Sequence, residues 1–166
     1  MFRREPALRL PAWYHDMPMG GWPLFVLNAR FGDTGYLDEP MAAYRVHAGG
    51  YWSGQSRLVQ QCRRLQVYEA MSAHFRRRHD DVIGPGAFAC CYDLAMFHEA
   101  SGDLRAARAC AWRALAWGTA RGRCGGRPGA GRQVLRVLLR SSVPAAAYRA
   151  ARRLRRTLAG PRGCRG

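Results

Sequence analysis

The chain has 166 residues, 48% of them hydrophobic, which is enough for one ordinary domain with a buried core and excludes wholesale disorder. Its formal net charge is +16, but the excess is local: residues 1–52 and 53–104 are each neutral, and residues 105–166 hold sixteen arginines and no acid. Every one of the 27 basic residues is arginine, so a GC-rich coding bias explains the composition as readily as selection for guanidinium chemistry.

No apolar run is long enough to span a bilayer, and Met1-Phe2-Arg3-Arg4 is followed by Glu5-Pro6 rather than by a signal-peptide core. A cytoplasmic protein, peripheral at the inner membrane at most, is expected. The six cysteines form no C-x-x-C pair and no zinc spacing with histidine, so reduced thiols, most of them small core residues, are expected.

In chain order, residues 3–13 are Pro-punctuated and read as a strand end and a loop. Trp22, Leu24, Phe25, Leu27, Asn28 and Phe31 follow helical spacing, with Pro23 in the first turn and Gly32 as a stop. Two brief strands are predicted next, Thr34 to Leu37 and Met41 to Val46, the second with Tyr44 and Val46 on one side and Arg45 and His47 on the other.

After Ser53, read as an N-cap, the segment to His79 carries Leu58, Cys62, Leu65, Tyr68, Met71 and Phe75 at steps of three and four, which predicts a long amphipathic helix. Arg63-Arg64 and Arg76-Arg77-Arg78 read as a solvated face of it. A further helix is predicted from about Gly86 to Ala100 and another to about Ala120, separated by Gly102-Asp103. Leu94, Ala95, Ala107, Ala111, Ala114 and Leu115 make this pair similar to a single tetratricopeptide-type hairpin. Residues 121–132 read as a Gly/Arg/Pro linker, followed by helical stretches at Gln133 to Leu139 and Pro144 to Leu158. The last sets Ala147, Ala151, Leu154 and Leu158 against Arg149, Arg152, Arg153 and Arg156, a basic amphipathic pattern suited to an anionic membrane surface. Nucleic acid is a poorer match, because Tyr148 is the only aromatic residue after Trp117.

Four pieces of the front half share an order and spacing: Met1-Phe2-Arg3-Arg4, Gly20-x-Trp22-Pro23-Leu24, Gly32-x-x-Gly35-Tyr36-Leu37-Asp38, and Met41-Ala42-Ala43-Tyr44-Arg45-Val46-His47-x-Gly49-Gly50-x-Trp52-Ser53. Together they resemble the C-terminal half of a bacterial family 2 glycosyltransferase of the GT-A fold. The resemblance covers residues 1–80. It implies transfer of a sugar from a nucleoside diphosphate sugar to a glycan or lipid-linked acceptor, with inversion, assisted by a divalent metal (Mg or Mn).

Carried over residue by residue, the resemblance makes His47 a diphosphate- or metal-side contact and Arg45 its neighbour. Trp22 becomes the acceptor wall, with Trp52 closing the same site. Gly21 stands where the family has its catalytic aspartate, and a glycine has no side chain to accept a proton. Asp16, five residues earlier, is the substitute candidate. No Asp-x-Asp occurs anywhere, and Asp80-Asp81 reads as a cap or loop feature. Met1 falls midway through the family's fold, so a truncated, split or mis-started reading frame, inactive alone, is expected.

The expectation is therefore a mostly α chain with a small β component: a partial GT-A α/β half-domain over residues 1–52, a helical extension with a hairpin over 53–120, and a Gly/Arg-rich linker with a basic helical tail over 121–166. The alternative function is a non-catalytic helical interaction module whose basic tail docks on a membrane or a partner.

Overall fold

The computed structural model describes residues 10–33, 35–119 and 129–142. The described chain is helical. A single turn, α1 (Ala12–His15), is followed by α2 (Gly21–Asn28), which tightens into a 3-10 turn at Ala29–Phe31. Four longer helices come next: α3 (Arg57–His74), α4 (Asp80–Ser101), α5 (Leu104–Thr119) and α6 (Ala130–Ser141).

There is no β-strand among the described residues. The strand predicted at Met41 to Val46 is irregular and exposed, as are residues 35–37, and among the described residues the α/β half-sheet expected of residues 1–52 is not formed. The physical reason is pairing. A strand exists through its neighbour's backbone groups, and among the described residues no other segment pairs with this one to supply them.

Helix α3 begins four residues after the predicted cap. Ser56, not Ser53, accepts a hydrogen bond from the Val59 amide, at 3.3 Å. Helix α4 begins six residues before its predicted start and runs through Pro85, which leaves one rung of its ladder unmade. Asp80 and Asp81 sit in its first turn, where carboxylates face the positive end of the helix dipole. The turn between α3 and α4 is tight: Arg76 and Arg77 both have left-handed backbone, φ 51° and 61°. Asp80 holds it by accepting from the buried Ser72 hydroxyl at 2.6 Å and from Arg77 at 3.0 Å.

The α4–α5 hairpin matches the sequence pattern. Gly102 adopts φ 86°, the left-handed conformation that ends a helix at least cost in glycine, and Asp103 accepts from the Ala106 amide to start the next. Ala107, Ala111 and Ala114 are completely buried, which lets α5 approach α4 closely. The main core gathers these alanines with Phe88, Cys91, Leu94 and Ala95 of α4, Leu65 of α3 and Val134 and Val137 of α6. Helix α6 starts at Ala130, inside the predicted linker. The predicted helix at Pro144 to Leu158 lies outside the described residues, as do Cys124 and Cys164.

A second cluster attaches the front of the chain to this bundle. Val67, Met71 and Ile83 are buried there, and Trp13, Met17, Met19, Trp22 and Val26 pack against them. Among the described residues no helix is long and apolar enough to cross a membrane.

Candidate functional site

The residues singled out by sequence lie on the front segment, around the start of α2 and the turn before α3. Gly20 precedes α2 without a side-chain cap. Its carbonyl accepts from the Tyr14 hydroxyl at 3.1 Å and from the Leu24 amide at 3.0 Å, which fixes the entry to the helix. Gly21 is the first helical residue and is exposed, and a Cβ built there meets nothing within 4 Å. The position has no base, but it has room for one.

Trp22, the next residue, turns inward. Its ring meets Tyr68 edge-on, with centroids 4.7 Å apart, and packs on the second core cluster. Asp16 is exposed at the end of α1.

Residues 47–55 form a compact turn. The His47 carbonyl accepts from the Gly50 amide at 3.0 Å and from the Ser53 hydroxyl at 2.9 Å. The half-buried Trp52 offers its carbonyl to the Gln60 side chain on α3, at 3.0 Å. His47 and Arg45 are exposed. Among the described residues no hydrogen bond or ring contact joins Trp22, Arg45, His47 and Trp52 to one another.

What joins the two loops is Tyr51. The Tyr51 hydroxyl donates to the Pro18 carbonyl at 3.0 Å, tying the His47–Ser53 turn to the loop that leads into Gly20-Gly21. The Arg63 guanidinium stacks over the Tyr51 ring, 4.9 Å from its centroid. Arg63 is therefore half-buried rather than part of a solvated face, and its Nη1 group is buried without an acceptor. Tyr51 occupies an unspecified position between Gly50 and Trp52, and its partner is 33 residues away, so no local pattern marks it.

The described residues do not fit a divalent metal. Among the described residues no three histidine, cysteine or acidic side chains converge on a common point, and the sequence has no Asp-x-Asp.

Elsewhere, an open groove of about 380 Å³ runs between α3 and α4, lined by Leu58, Tyr92, Met96 and Phe97, with Asp93 on its wall. Asp93 is already engaged, accepting from Gln61 at 3.0 Å and facing Arg57 at 3.6 Å. Cys91 and Cys110 are not activated thiols. Burial pushes the Cys91 thiol up to about 12, and burial also raises Cys110.

No protein-family model, curated protein or solved structure matches the chain.

Proposed function

We propose that the chain is the acceptor-side portion of a glycosyltransferase-like protein, descended from enzymes that move a sugar from a nucleoside diphosphate to a glycan or lipid-linked hydroxyl. The observation that supports the reading is the Tyr51–Pro18 hydrogen bond, because it ties the Met41–Ser53 segment, where the resemblance is strongest, to the loop that leads into Gly20-x-Trp22-Pro23-Leu24. In this reading the exposed His47 faces the diphosphate, and Arg45 supports it. Gly21 marks the position from which a carboxylate would take the acceptor's proton. Trp22 serves by fixing the helix start through its contact with Tyr68, and Trp52 closes the turn. The exposed segment 35–47 becomes strand only on pairing with a nucleotide-binding half, which also supplies the metal contacts. No step runs through a metal held by these residues.

The test is restoration of the base. In a fusion of this chain to a nucleotide-binding half carrying Asp-x-Asp, Gly21→Asp raises sugar transfer by about 10²–10⁴-fold, the usual worth of general-base catalysis. His47→Ala in the same fusion removes the gain. Equal rates with glycine and aspartate at position 21 overturn the assignment.

The groove between α3 and α4 favours a second reading, a helical interaction module that receives an apolar peptide segment. Fluorescence titration with amphipathic peptides checks it. Phe97→Asp abolishes binding if the groove is the site, and unchanged binding removes it.

A further inference from the structure

Helix α6 carries two apolar stripes, and only one of them faces the protein. Ala130, Val134, Val137 and Leu138 are buried in the main core. Leu135 and Leu139 lie on the opposite side, one turn apart, 53% and 68% exposed. Arg132 and Arg136 are exposed beside them. At about 100° per residue, these four side chains fall within roughly a 100° arc. Among the described residues no carboxylate pairs with Arg132 or Arg136, and the sequence has no acid after Asp103. The adjoining helix α5 repeats the pattern: Arg105, Arg108 and Trp112 share one face by their spacing, and Trp112 is 54% exposed.

A face that serves only solubility needs no leucines between its arginines. A face built for nucleic-acid phosphates needs the arginines, but gains nothing from aliphatic groups one turn apart. A lipid surface uses both, since leucine enters the acyl boundary while the arginine stem lies along it and delivers its charge to the headgroup phosphates.

We propose that the outward face of α6 is a docking surface for an anionic lipid bilayer. The proposal does not depend on the sugar-transfer reading. It places the contact on a helix packed in the bundle, so binding fixes the orientation of the whole domain rather than tethering it by a charged tail.

Co-sedimentation of the full chain with vesicles tests it, using phosphatidylglycerol/phosphatidylcholine mixtures against phosphatidylcholine alone. Partitioning to the anionic vesicles and not to the neutral ones is expected, and equal partitioning to both overturns the charge requirement. The double variant Leu135→Ser/Leu139→Ser touches only exposed side chains, so its circular dichroism and Tm stay at the parent's values. Its partition coefficient falls by about tenfold or more if the leucines enter the bilayer. Arg132→Gln/Arg136→Gln lowers it further in low salt. Vesicle binding unchanged by the leucine pair overturns the proposal. So does a chain that binds duplex DNA in preference to vesicles, because charge alone is then the determinant.

Discussion

The hydroxyl of Tyr51 donates to the carbonyl of Pro18 across 3.0 Å, on the exposed side of the front segment. Two loops with no secondary structure of their own are held in register by that bond and by the Arg63 guanidinium stacked on the same ring. Both interactions are near solvent, where a hydrogen bond and a cation–π contact are each worth about 1 kcal/mol or less. The site is therefore assembled by weak local ties rather than by the core.

Tyr51→Phe separates those ties, because it keeps the ring under Arg63 and removes the hydroxyl. Amide hydrogen exchange over residues 17–21 and 47–53 speeds up, while exchange in α4 and α5 is unchanged and Tm moves by no more than a few degrees. Faster exchange across the whole chain would mean that Tyr51 supports the bundle instead.

The turn itself depends on Gly54. A Cβ there would run into the Ala48 carbonyl and lie 2.7 Å from the Gly50 carbonyl, and backbone oxygens cannot swing aside as a side chain can. Gly54→Ala opens the turn that sets the His47 carbonyl and the start of α3. The loss of the Gly54 amide bond to Gly50, 2.8 Å in the parent, reads out as loss of protection at that amide. Global unfolding in urea keeps its slope and loses about 1–3 kcal/mol at most.

The helices were legible in the sequence because each has an internal period. The steps of three and four from Leu58 to Phe75 give α3, and Gly102-Asp103 gives the hairpin, since a left-handed C-cap and an N-cap carboxylate are local chemistry. The strands misled for the same reason in reverse. Alternation from Met41 to Val46 describes a segment able to pair, but pairing is decided by another segment, and α3 covers Trp22 instead of extending a sheet. Helix α4 starts before Pro85 rather than after it, because burial of Ile83, Ala87 and Phe88 on one side of the helix outweighs a missing hydrogen bond. At the candidate site, Gly21 was visible as a side chain missing from a helix start. Tyr51 and Arg63 were not, because their partners are far along the chain.

Phe88 tests the main core. It is completely buried, stacked 6.3 Å from Tyr92, and surrounded by the alanines of α5. Phe88→Ala removes a ring that the short alanine side chains cannot replace, so the cavity persists and the loss is about 3–5 kcal/mol by urea denaturation. Against a typical total of about 5–15 kcal/mol, that brings the chain close to its unfolding threshold.

Cys91 predicts an alkaline limb. Burial holds its thiol up at about 12, so the folded state keeps the proton where the unfolded chain has released it. Stability is complete below the unfolded value near pH 9 and falls as pH rises from there towards 12. Cys91→Ala flattens that part of the Tm–pH curve. In the native chain at pH 8, iodoacetamide modifies the exposed Cys62 and leaves Cys90 and Cys91 untouched until urea is added. Equal labelling of all three in the native state would contradict the burial of α4.

His74 predicts the opposite limb. Its Nε2 accepts from Arg30 Nη1 at 3.1 Å, which requires the neutral ring, and Trp13 and Phe75 press on it with centroids 5.6 Å and 5.0 Å away. Desolvation by burial, and then the Arg30 charge, lower its pKa below the usual 6.5. The unfolded chain therefore takes up a proton at a higher pH than the folded one. The contribution of His74 is fully present above about pH 6.5 and is lost as pH falls through the folded value. Because Arg30 lies in the 3-10 turn after α2, protonation loosens the front segment first: Trp13 and Trp22 fluorescence shifts between pH 7 and pH 5 before helicity declines. His74→Gln keeps an acceptor for Arg30 without a titrating proton, so its fluorescence stays level across that range. A parent-like shift in the glutamine variant would assign the transition to another group.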